Sequence, residues 1–149
     1  MDDAKAALIL EITHIAKHFR DTLEEVLQTL HYIPRPFESF PAGSCGICSD
    51  MLGGILNETR RDQVLYVSAS DEMERQSHAW LRYEDIVIDV TGDQFPGRPP
   101  IFVGPPDDWF DLWIVEEQLV HPAEYVYSWN MDCNRVYDEI LESTSIPKS

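Results

Sequence analysis

The sequence predicts an α+β domain, and three observations carry that prediction. Residues 3–31 repeat apolar side chains at helical spacing, β-rich runs fall between 64 and 91, and a short helix opening at Cys45 lies between them. At 149 residues the chain is long enough for one domain with a core and short for two, so 1–149 reads as a single domain.

The elements follow in order. Ala7, Leu8, Ile12 and Ile15 set the first helical stretch, and Leu23, Val26, Leu27 and Leu30 set a second. Asp21, with Glu24 three residues on, reads as the cap of that second stretch. Residues 1–32 thus form a helical lead-in, ended by Pro34 and Pro36. Residues 33–44, IPRPFESFPAGS, make an approach loop. A helix over Cys45–Asn57 buries Ile47, Met51, Leu52, Ile55 and Leu56, while Gly53 and Gly54 weaken it and permit close packing. Strands are predicted at Val64–Ser68, Ser77–Tyr83 and Ile86–Thr91, with a tight turn at Glu84-Asp85. A turn-rich loop spans Gly92–Pro100, short strands follow at Ile101–Val103 and Leu112–Val115, and a last helix covers Met131–Leu141. Residues 143–149 read as a frayed tail.

Charge narrows the partners. Twenty-seven acidic against 11 basic residues give a formal net charge of −16. Such a surface repels phosphate backbones and anionic lipid, which argues against nucleic acid and membrane. It suits a basic peptide or protein partner, or simple solubility. The opening MDDAKAALILEITH has acids where a signal peptide has bases, and no apolar run approaches a bilayer span. A cytoplasmic location is the expectation. Three cysteines are an odd set for a disulfide scaffold and suit reduced thiols, one of them available for chemistry.

Cys45 is that one. It stands in AGSCGICSD, where small residues meet a helix start. Unpaired N–H groups and the positive end of the helix dipole lower a thiol's pKa there and can hold an oxyanion. Gly43 and Gly46 keep the approach to the sulfur open. The plainer alternative is a buried structural thiol. Cys48, one turn on, reads as structural, and Cys133 has no assigned role. Cys45 and Cys48 also form C-x-x-C, but a loop rather than a strand precedes them and no second ligand pair follows. No metal or cofactor is expected.

His78 shares one strand face with Trp80 and Arg82. Taken alone it reads as an edge histidine. Asp89 alters that reading, because a carboxylate inside the apolar run IVIDV is costly unless paired. The predicted hairpin sets Asp89 opposite Trp80 and diagonal to His78, within reach of the imidazole. Nucleophile, base and orienting carboxylate together make an acyl-transfer set. The alternative for Asp89 is a strand-end residue binding N–H groups of the 91–94 turn. His14, His18, His31 and His121 read as solvated or locally bonded, and Trp109 with Trp113 as core.

The three pieces GSCGICSDMLGGIL, SHAWLRY and IVIDVTGDQF, over residues 43–95, resemble the transglutaminase-like core, and in order and spacing also papain-like peptidases. Gly46 stands where that pattern carries an aromatic residue. The resemblance implies a Cys-bearing helix packed on an antiparallel sheet, with Cys45 as nucleophile, His78 as general base and acid, Asp89 as its orienting partner and Trp80 as a packing residue. The function it implies is a thiol amidohydrolase, a peptidase or glutamine deamidase, acting on a peptide or protein through a thioester. An acyltransferase or transglutaminase on the same triad is one alternative. A non-enzymatic acidic interaction protein, of the immunity or inhibitor kind, is another. Gln76 and Gln94 are candidate oxyanion donors beside the Cys45 N–H. Specificity is expected in loops 33–44, 69–76 and 92–110.

Overall fold

The N-terminal periodicity folds as one helix, not two. A computed structural model describes residues 2–60, 64–73, 75–120 and 131–143. Helix α1 runs Asp3–Thr29, capped by the Asp2 carboxylate, which accepts the Lys5 N–H at 2.7 Å. Asp21 is therefore no cap. The buried stripe Ile12, Ile15, Ala16, Phe19, Leu23 and Val26 passes it without a break, and Asp21 pairs instead with Lys17 at 2.7 Å.

Helix α2 runs Cys45–Arg60 and packs against the sheet. Its glycines set how closely it packs. A Cβ on Gly53 would lie 2.8 Å from Val120 Cγ2, and one on Gly54 3.1 Å from the Tyr137 hydroxyl. Helix α3 is Met131–Ser143.

The sheet has five strands: β1 Leu65–Ser70, β2 Ser77–Tyr83, β3 Ile86–Asp89, β4 Phe102–Gly104 and β5 Ile114–Leu119. The order is β4-β3-β2-β1-β5, and every described pairing is antiparallel. β2 has the expected bounds, and Glu84, at φ 55, turns the chain into β3. β3 ends at Asp89 rather than Thr91, because Gly92–Gln94 coil into a 3₁₀ turn. The last strand lies further on than expected. Phe110–Leu112 form another 3₁₀ turn, so pairing starts at Ile114.

Both faces of the central strand β2 are covered, with His78 through Leu81 all buried. On one face Leu81, Ile86 and Ile88 join Phe19, Leu52, Leu56, Val136 and Ile140 of the helices. On the other, Val67, Ala69, Trp80 and Val87 lie under Phe110, Phe102, Trp109 and Trp113. Full burial of one such side chain contributes about 1.5–3 kcal/mol. No helix among the described residues is long and apolar enough to cross a membrane. The expected tail beyond Ser143 lies outside the described residues.

Candidate active site

Cys45 is the first residue of α2 and is half-buried. The preceding residue shapes its setting. Ser44 is buried and donates its hydroxyl to the Pro36 carbonyl at 2.7 Å, while its own carbonyl accepts the Cys48 N–H at 2.9 Å. The Ser44 hydroxyl proton thus goes to the approach loop. The positive end of α2 is at the sulfur.

His78 is the second residue of β2 and lies on the aromatic face. Its ring centroid is 5.0 Å from Phe95, 5.6 Å from Trp80, 5.9 Å from Trp109 and 6.0 Å from Trp113. Leu81 pairs with Ile88, so the same register carries Asp89 opposite Trp80 and diagonal to His78. His78 Nε2 meets Asp89 Oδ2 at 2.8 Å, and both side chains are buried. The other oxygen, Asp89 Oδ1, accepts the Thr91 N–H at 3.1 Å. Asp89 therefore serves both as imidazole partner and as turn acceptor. Gly92 makes room for this, since a Cβ there would stand 3.2 Å from Asp89 Oδ2 and 3.1 Å from the Pro99 carbonyl oxygen.

With Nε2–H given to the carboxylate, Nδ1 is the nitrogen left for the thiol. Gln94 Nε2 lies 2.9 Å from it. His78, the backbone of Ala79 and the Gln94 amide lie near enough to act on the Cys45 thiol. Burial raises the thiol pKa, but the His78 hydrogen bond and charge, with Ala79 and Gln94, outweigh it and hold Cys45 below its ordinary value. Burial likewise works against a charged His78. The Asp89 and Cys45 partners prevail there and raise the imidazole to about 9. Both shifts favour a thiolate–imidazolium pair.

The remaining predicted residues divide. Gln94 reaches the thiol and the imidazole. Gln76 is exposed and lines a cleft with Trp109 and Trp113. Gly46 passes the Tyr66 hydroxyl closely enough that a Cβ would sit 3.2 Å from it. Trp80 packs edge-on to Phe110 at 5.0 Å. Trp109 and Trp113, expected as core, are only half-buried and wall that cleft beside His78. Cys48 is buried, and burial pushes its thiol well up. His14 and His31 are exposed, whereas His18 differs from expectation: its Nε2 is buried with no hydrogen-bond partner among the described residues. His121 lies outside them. Among the described residues no group of three His, Cys, Asp or Glu side chains is placed to hold a metal.

Two residues at the site have no part in the sequence reading. Arg20 of α1 is buried and donates to the Val90 carbonyl at 3.0 Å, the Pro100 carbonyl at 3.2 Å and both Asp93 oxygens at 2.7 Å, tying down the loop that carries Gln94. Its signal was an arginine inside the apolar stripe of α1. Tyr66 faces α2 from β1. Burial raises its hydroxyl to about 12, with Asp50 and Cys45 adding to the shift, so it stands neutral near the sulfur. Its signal was a polar-tipped aromatic in a strand.

Comparisons with protein-family models, curated proteins and solved structures gave no match.

Proposed function

We propose that the protein is a thiol amidohydrolase on a transglutaminase-like, papain-like core, acting on a peptide bond or a glutamine side chain. One observation carries the reading: a buried carboxylate holds one nitrogen of a buried imidazole at 2.8 Å, and that imidazole acts on a cysteine at a helix start. Nucleophile, base and orienting group stand in the order that acyl transfer needs.

In the reaction, the Cys45 thiolate attacks the amide carbonyl and the C–S bond forms. The oxyanion is met by N–H groups at the start of α2 and by the Gln94 amide. His78 Nδ1–H protonates the departing nitrogen as the C–N bond breaks, leaving a thioester and a neutral imidazole. A water then gives its proton to Nδ1 and its oxygen to the carbonyl, and the carboxylic acid leaves as the thiolate–imidazolium pair re-forms. The buried Asp89 carboxylate keeps the ring oriented and offsets its charge throughout.

The test is iodoacetamide labelling of the native protein from pH 5 to 9, resolved by site, beside His78→Ala. The expected result is that Cys45 alkylates fastest, remains reactive well below the ordinary thiol pKa of about 8.5, and loses that advantage without His78. Labelling of Cys45 no faster than that of Cys133 would end the nucleophile reading. The chain would then be an acidic binding protein, to be followed by partner pull-down.

A further inference from the structure

Beside His78 the surface opens into a cleft of 280 Å³ lined by Asp71, Gln76, Phe95, Pro96, Trp109, Leu112 and Trp113. That volume is below the range of drug-sized pockets and suits one side chain. Three of its walls, Phe95, Trp109 and Trp113, are the rings that pack around the imidazole, so an occupant would sit one aromatic layer away from the catalytic base.

The lining has a particular chemistry. The faces of aromatic rings carry negative potential and attract cations. Asp71 adds a carboxylate. Its Oδ1 accepts the N–H groups of Arg75 at 2.7 Å and Gln76 at 3.2 Å, which fixes its position, and no cationic side chain among the described residues is paired with it. Leu112, 70% exposed, and Pro96 offer apolar surface on which an aliphatic stem can lie.

The same aromatic layer already holds one cation in this way. The Arg98 guanidinium lies 4.4 Å from the Trp109 centroid and 5.2 Å from that of Phe110, and pairs with Asp107 at 2.8 Å. Aromatic faces with one carboxylate make up that site, and the cleft repeats the combination with Asp71. Asp107 offsets the Arg98 charge, and Asp89 with the Cys45 thiolate offsets that of the His78 imidazolium behind the rings. The net charge of −16 draws basic peptides toward this surface.

We infer that this cleft is a specificity pocket for a lysine or arginine side chain of a peptide substrate, held by Phe95, Trp109 and Trp113 and by the Asp71 carboxylate. The inference rests on the proposed amidohydrolase function, since it supplies that activity's substrate class. Asp71 and the rings act in binding, and the chemistry stays with Cys45 and His78.

Binding and turnover are measured separately. Cys45→Ala protein is titrated with the blocked tripeptide amides acetyl-Gly-X-Gly, with X as lysine, arginine, norleucine or glutamate, and followed by tryptophan fluorescence and by NMR shifts of indole N–H signals. Lysine and arginine peptides are expected to bind about tenfold tighter than the norleucine peptide, with the glutamate peptide weakest. Asp71→Asn, which keeps an oxygen for the two N–H groups, is expected to remove most of that preference, and Trp109→Leu to weaken the cationic peptides selectively. Equal binding of norleucine and lysine peptides would overturn the inference, and so would no binding of any peptide at millimolar concentration. Wild-type turnover of longer peptide pools, read by mass spectrometry, separates the two proposals. Cleavage or deamidation without preference for nearby basic residues sinks the pocket and spares the enzyme. Cationic binding without any turnover does the reverse.

Discussion

Arg20 and Asp93 lie 73 residues apart and meet as a two-pronged pair, both carboxylate oxygens 2.7 Å from the guanidinium. The pair joins the lead-in helix to the loop that presents Gln94. Arg20→Met should therefore do two things. Loss of these charged hydrogen bonds should lower unfolding free energy by about 2–3 kcal/mol in urea titration. In the folded fraction, Cys45 alkylation should slow as Gln94 loses its support. Arg20→Lys should recover part of the stability, because a lysine cannot reproduce the fork.

The pH profile follows from the two shifted groups. The proposed reaction needs the thiolate with a protonated His78. The acid limb of kcat/KM is expected below the ordinary thiol value of about 8.5, and the alkaline limb near 9, where the raised imidazole loses its proton. Stability has its own sign. His78 rises in the folded state from 6.5 to about 9, so its contribution is full below 6.5 and is lost as pH climbs through about 9. Urea titrations across pH 6–10 would read that loss.

Asp89→Asn keeps the shape and the acceptor for Thr91 but removes the charge beside the ring. The imidazole should lose the raise it owes to Asp89, so the alkaline limb moves to lower pH and the active window narrows. Turnover at neutral pH is expected to fall about 10²–10⁴-fold, with the far-ultraviolet spectrum unchanged. An unmoved alkaline limb would show that Asp89 does not set the charge state of His78.

Gly92 and Gly97 form a matched test. An alanine Cβ at Gly92 presses on Asp89 Oδ2 and the Pro99 carbonyl oxygen, whereas at Gly97, with φ +77, it meets nothing within 4 Å. Gly92→Ala should cost about 1–3 kcal/mol and also slow Cys45 labelling, because the carboxylate must shift. Gly97→Ala should cost about 1 kcal/mol through backbone strain and leave labelling unchanged.

Cys48→Ala tests the second cysteine. Its thiol is buried and held protonated, so the variant should lose about 1 kcal/mol from packing and keep the full rate of Cys45 alkylation. A fall in Cys45 reactivity at unchanged stability would instead give Cys48 a part in the chemistry.

The α+β class, the bounds of β2 and the start of α2 were legible in the residues alone. Each rests on local signals: period-two and helical spacing, a turn at Glu84-Asp85, and small residues before a helix. The sequence also put Asp89 within diagonal reach of His78, because a two-residue turn fixes hairpin register. Other features depended on contacts between distant segments. Asp21 looked like a cap because its local pattern fits one, and only the continuous packing of Phe19 and Leu23 against the sheet made it interior. The strand expected at Leu112 became a 3₁₀ turn that brings Trp109 and Trp113 to His78. The choice of Gln94 over Gln76 beside the sulfur, and the reach of Arg20 across 73 residues, were likewise tertiary decisions. A sequence pattern reports a side chain's neighbours a few positions away, whereas the partners of a buried charge are set by which segments the core brings together.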